Sequence, residues 1–122
     1  MHTRKQAAKL LHATGMSPKY KGHAYALFML SLAIEDPART HNLRAQLYLP
    51  ACTHFNTSAQ LIERNLRFAI ARTYEAAHGE GMRRLFHAYG IDYVPTNREF
   101  LCVLTHCAHH GPAPAPRQMA MW

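Results

Sequence analysis

Apolar positions in this chain recur at intervals of three and four, with Gly or Pro separating one such stretch from the next. That period is helical. Sustained alternation and the Asn-Gly or Asp-Gly pairs that close hairpins are both missing, so an all-α fold is expected. Ala7, Leu10, Leu11 and Thr14 share one side of a first helix from about Thr3 to Ala13, with Gly15 as its stop. A basic loop (GMSPKYKG, 15–22) leads to a second helix from about His23 to Glu35. Tyr25, Leu27, Phe28, Met29, Leu30, Leu32 and Ile34 leave that helix almost no polar side, which marks the buried centre of a domain. Asp36-Pro37 ends it.

A third helix over Leu43 to His54 contains Pro50, so the helix proper either begins near Pro50 or is kinked there. Thr57-Ser58-Ala59-Gln60 is a capping-box pattern with Thr57 as the cap, and it opens a fourth helix expected to run to about His78 and stop at Gly79. Met82 to Ala88 makes a short fifth helix. Thr96-Asn97-Arg98-Glu99, directly after Pro95, is a second capping box and opens a sixth helix ending near His110. Residues 1–110 then form one six-helix domain, and a stiff, Pro-rich extended tail occupies 111–122.

Composition adds two constraints. With 122 residues, 48% of them apolar and 17% charged, the chain suits one globular domain with a core that needs no staple. No apolar run reaches membrane-spanning length and no secretory h-region follows the basic start, so a cytoplasmic location without membrane contact is expected. Cys52, Cys102 and Cys107 are an odd set that reads as reduced thiols. Fourteen Lys and Arg against seven acids give a formal charge of +7, which favours a polyanionic partner, nucleic acid first and then acidic membrane or protein.

On a helical wheel of the fourth helix, Ile62, Leu66, Ala69, Ile70, Thr73 and Ala77 fall in one core-facing stripe. Gln60, Arg64, Arg67 and Ala71 fall opposite, with Glu63 beside them. Near a helix N-terminus these side chains suit base reading: Arg pairs with guanine, Gln with adenine, and Glu accepts from cytosine. The short spacer His54-Phe55-Asn56 suits the tight turn of a helix-turn-helix. A solvated, ion-paired face explains the same pattern, because Glu63 and Arg67 are an i,i+4 pair in the favourable order.

Residues Tyr20 to His110 resemble the C-terminal effector domain of the sporulation stage-zero response regulator, protein A, of endospore-forming Firmicutes. Lys21-Gly22 with Tyr25, Leu47-Tyr48, and Phe55-Asn56-Thr57-Ser58-Ala59 carry the resemblance. So do the block from Ile62 to Ile70 (IERNLRFAI) and Pro95-Thr96-Asn97-Arg98-Glu99-Phe100, in the family's order and spacing. The resemblance implies a six-helix domain whose third and fourth helices form the helix-turn-helix. It further implies base reading at Glu63, Arg64 and Arg67, tandem binding on double-stranded DNA, and contact with an RNA polymerase sigma subunit. Leu61 stands where the family usually has Arg, and Phe68 where it has His. These two neighbours on the wheel are expected to pack on another helix. Ile91-Asp92-Tyr93-Val94 replaces a segment that carries lysines in the family. Residues 1–122 leave no room for the family's receiver domain, so the chain reads as a free-standing effector, favoured by Met1, or as a fragment.

On this reading Gln60, Glu63, Arg64 and Arg67 contact bases, and Lys19, Lys21, Thr57, Ser58, Asn97 and Arg98 contact the backbone. The alternative is a protein-interaction module that no longer binds DNA and takes a sigma subunit or related regulator as partner. Cys102, His106, Cys107, His109 and His110 include i,i+4 pairs of metal-ligand type, but no second pair completes a site, so neither metal nor cofactor is expected. No nucleophile with its base and no glycine-rich phosphate loop is found, so no enzyme is expected.

Overall fold

A computed structural model describes residues 2–111, and the tail expected beyond them lies outside the described residues. Six α-helices are present there and no strand: α1 (His2–Thr14), α2 (Lys21–Glu35), α3 (Leu49–Phe55), α4 (Ala59–Glu75), α5 (Glu80–Ala88) and α6 (Asn97–His110). The nearly all-apolar α2 takes the centre, packed against α1, α4 and α6. Its Ala26, Met29, Leu30 and Ala33 are fully buried, together with Leu11 of α1, Leu66 of α4 and Leu104 of α6. Burial of such a shared face, more than helix propensity, stabilises helices of this length.

Pro50 shapes the entry to α3. A proline offers no N–H to the carbonyl four residues back, here Gln46, and its ring crowds that carbonyl. The chain answers with a π-turn over Arg44–Tyr48, and α3 proper begins at Leu49 with Pro50 in its first turn. The Gln46 carbonyl left over accepts instead from Arg39 Nη1 at 2.8 Å. Arg39 belongs to a 3-10 turn, Pro37–His41, that the apolar pattern does not foretell.

α2 and α5 each begin two residues earlier than expected, at Lys21 and Glu80, and both ends of α4 differ from expectation for a local reason. The cap of α4 is Ser58, whose Oγ accepts from Leu61 N at 3.2 Å, rather than Thr57. Asn56 is left-handed (φ 53, ψ 57), and the Thr57 N–H is committed to the Cys52 carbonyl at 3.1 Å, closing the C-terminus of α3. At its other end α4 stops at Glu75, short of His78, and Ala77 is exposed rather than part of the core. Arg83 Nη1 donates to the terminal carbonyls of Tyr74 and Ala76, which ends the helix there. Gly79 then folds back so tightly that a Cβ would lie 1.7 Å from the Thr73 carbonyl oxygen. The Thr96 capping box is formed as expected, with Glu99 N donating to Thr96 Oγ1 and Thr96 N to Glu99 Oε1.

Gly22, in the first turn of α2, sets the distance between α2 and α4. A Cβ there would meet the Asn65 carbonyl oxygen at 2.3 Å and Ala69 Cβ at 2.7 Å. Neither neighbour is the flexible end of a side chain, so Gly22→Ala must push the two helices apart. The expected loss is about 1–3 kcal/mol, as for other overpacked core sites. A thermal unfolding midpoint equal to that of the parent protein would contradict this close approach.

Candidate nucleic-acid interface

Ile62, Leu66, Ala69, Ile70 and Thr73 are all fully buried, which sets the rotation of α4 about its axis. The opposite side therefore faces outward, with Gln60, Arg64 and Arg67 exposed and Glu63 half-buried beside them. Arg64 has no hydrogen bond or ion pair among the described residues. Arg67 Nη1 donates to Glu63 Oε2 in an i,i+4 ion pair, and the Arg67 side chain remains 58% exposed. Neither guanidinium lies beneath a neighbouring segment.

The α3–α4 junction spans Asn56, Thr57 and Ser58, so the two helices follow each other across a three-residue turn, the order of a helix-turn-helix. Thr57 is half-buried and Ser58 exposed at the N-terminus of α4. The backbone N–H groups of that first turn, with the positive end of the helix dipole, suit a phosphate. Lys19 and Lys21 are exposed where α2 begins. That end of α2 abuts the middle of α4, through Gly22 against Asn65 and through the Tyr20 ring set edge-on to Phe68 at 5.9 Å. Arg98, exposed in the first turn of α6, lines one cavity with Glu63 and Arg67. Cations from α2 and α6 thus flank the outward face of α4.

Asn97 does not share that disposition, and the backbone contact expected of it is corrected. Its side chain is buried, and Nδ2 donates to Tyr48 Oη and to the Glu63 carbonyl, both at 3.0 Å. Tyr48 comes from the π-turn before α3 and Glu63 from α4, so one amide ties α6 to both parts of the helix-turn-helix. Burial raises the pKa of Tyr48, with the Asn97 bond acting against it, so the hydroxyl stays neutral and able to accept. The pairing of residues 48 and 97 leaves no sequence signal. Asn97 sits inside a capping box, where an exposed polar role is the simpler reading, and its partner lies 49 positions away.

Leu61 and Phe68 also differ from expectation. They are not covered by another helix: Leu61 is 38% and Phe68 50% exposed. Phe68 rests against Tyr20, and the Arg72 guanidinium lies 5.4 Å from its ring centroid, a cation–π distance. Among the described residues no three His, Cys, Asp or Glu side chains are placed to hold a metal ion. Burial raises the pKa of Cys102 and Cys107, which favours their protonated thiol forms.

An all-helical domain with an α3–turn–α4 unit, an outward Arg-bearing face on α4 and flanking cations has the build of a helix-turn-helix DNA-binding domain. Comparison with known families agrees: residues 7–107 match the family described as the sporulation initiation factor Spo0A C terminal. The chain belongs to that family, a family of DNA-binding regulatory domains and not an enzyme family. No helix among the described residues is long and apolar enough to cross a membrane.

Asn97→Ala removes both hydrogen bonds of the α6 tie and leaves the Tyr48 hydroxyl without its donor in a buried place. A stability loss of about 1–3 kcal/mol is expected from leaving such groups unsatisfied. Arg98→Ala, one residue on but exposed, should cost little by the same denaturant measurement. Equal effects of the two substitutions would count against Asn97 as a structural tie.

Proposed function

We propose that this chain is a sequence-specific transcription regulator that lays the N-terminal half of α4 in the major groove of double-stranded DNA. In this reading Gln60, Glu63, Arg64 and Arg67 contact base edges. Lys19, Lys21, Thr57, Ser58 and Arg98 contact phosphate, while Asn97 serves from inside the fold. The observation that carries the proposal is the outward face of α4: Gln60, Arg64 and Arg67 are all exposed while the opposite stripe is fully buried. Bidentate Arg–guanine contacts would supply preference, and the surrounding cations affinity that falls with salt. A cytoplasmic location, tandem occupancy of neighbouring sites and contact with an RNA polymerase sigma subunit fit a regulator of this family.

Two kinds of substitution separate specific from non-specific contacts. Arg64→Ala or Arg67→Ala should weaken binding to the preferred sequence by about 1–3 kcal/mol and relax one base position. Lys21→Ala should weaken all sequences alike and reduce the slope of log affinity against log salt by about 0.9. Gel-shift titration on selected and random duplexes at two salt concentrations measures both. A uniform loss across sequences for the arginine variants would remove them from the base-reading set.

The exposed Leu61 and Phe68 favour a second reading, in which α4 meets a protein surface and the domain no longer binds DNA. The same titration separates the two, because a chain of the second kind shows no sequence discrimination at either salt concentration.

A further inference from the structure

Apart from Arg98, which the DNA-binding reading places on phosphate, one side of α6 is not used by that reading. Arg98, Cys102, Thr105, His106 and His109 recur there at helical spacing, and with His110 they form one wall of a cavity of about 420 Å³. The 3-10 turn Pro37–His41 supplies the other wall through Pro37, Thr40 and His41. The volume suits a small organic molecule. Among the described residues the lining contains one arginine and four histidines and no carboxylate.

Two of the imidazoles, His106 and His109, are held by hydrogen bonds. His109 Nε2 lies 2.8 Å from the Ile34 carbonyl oxygen, and since a carbonyl can only accept, Nε2 carries the proton. His106 Nδ1 is 2.9 Å from Tyr89 Oη, and the His106 and His110 rings lie 4.5 Å apart at 38°. Protonation of neighbouring imidazoles is self-opposing unless an anion lies near them. Thr105, 4% exposed, keeps a buried hydroxyl for which the fold provides no hydrogen-bond partner. Among the described residues no three of these side chains converge as metal ligands. Burial raises the pKa of Cys102 despite the opposing Thr40 hydrogen bond, so the thiol adds no negative charge to the lining.

We propose that the cavity between the Pro37–His41 turn and α6 binds a small organic anion, a carboxylate or phosphate ester carried on a ring-sized body. Arg98, His41 and the His106/His110 pair meet the anionic head, and Pro37 with the ring faces of the histidines meets the body. Bound anion favours protonated imidazole, so affinity rises as pH falls through the histidine range. Among the described residues the groups facing these imidazoles include Tyr89 Oη on His106, the Ile34 carbonyl on His109, the Cys102 thiol, and the Arg98 guanidinium, with Glu99 next in sequence to Arg98 directed to Tyr93 and Thr96 instead. This proposal does not depend on DNA binding.

The test is a titration of the full chain with phenyl phosphate and with benzoate, followed by histidine-ring NMR at about pH 6 and about pH 8. Saturable shifts at His41, His106 and His110 are expected, with dissociation constants roughly tenfold lower at the acid pH. The tighter of the two probes names the head group. The double variant His41→Ala/His110→Ala should bind roughly tenfold more weakly than the parent while keeping its unfolding midpoint and its DNA affinity. Lack of saturable shifts with either probe would overturn the proposal, as would undiminished binding by the double variant. Equal affinity for the uncharged benzyl alcohol would overturn it too, since the cavity would then be selecting for apolar bulk alone.

Discussion

Everything this domain presents to a partner depends on how α4 is rolled against α2. Five residues of one stripe are at zero exposure, and a rotation of even one residue step, 100°, would carry Arg64 or Arg67 toward the core and a leucine or isoleucine into water. Burying one such aliphatic side chain is worth about 1.5–3 kcal/mol, so several together make the observed roll far more stable than its alternatives. The outward face thus follows from the inward one. Gln60, Arg64 and Arg67 need no interaction of their own to be displayed.

Roll alone does not fix where α4 lies along its axis or how far it stands from its neighbours. Two contacts without a hydrophobic origin do this. Gly22 lets the α2 backbone come within van der Waals reach of the Asn65 carbonyl, a distance no side chain would permit. At the other side Asn97 donates to the Glu63 carbonyl and to Tyr48, so α6 and the π-turn before α3 are tied to the same turn of α4 that carries Glu63 and Arg67. The hydrophobic stripe is tolerant of small slides, whereas an amide giving one N–H to each of two acceptors is not, because both acceptors must stay near 3 Å. Position along the groove of a duplex would accordingly be set by polar contacts, and exposure by apolar ones.

The same division explains what is legible in the residues. Helical period, the Gly15 stop, the central place of α2, the Thr96–Glu99 box and the outward set on α4 rest on spacing of three or four, which is local and visible in the chain. What escapes is non-local or turns on competition between neighbours. Thr57 has the look of a cap, but its N–H is needed to close α3, and the role passes to Ser58. Ala77 matches the core stripe by wheel position, yet α4 has already ended where Arg83 takes its last carbonyls. Asn97 reads as exposed because no local rule points from residue 97 to residue 48. Leu61 and Phe68 are expected beneath another helix because exposed apolar pairs are uncommon, yet both stay exposed, Phe68 meeting the edge of Tyr20 and the Arg72 guanidinium among the described residues.

One objection to a base-reading α4 is that Arg67 already has a partner. Its guanidinium is held by Glu63 on the same face, so reading a base requires that pair to open. The magnitudes decide the matter. An exposed i,i+4 pair of this kind contributes about 0.3–0.5 kcal/mol, and the 58% and 44% exposure of the two side chains keeps it at that level. A bidentate arginine–guanine contact contributes about 1–3 kcal/mol to discrimination, several times more. Opening the pair also frees the Glu63 carboxylate, which would otherwise stand near phosphate as an uncompensated negative charge unless a cytosine N4–H₂ met it. On the proposed reading the pair is a resting arrangement: it keeps two opposite charges neutralised on the free protein, and the preferred sequence would be one that offers a partner to each.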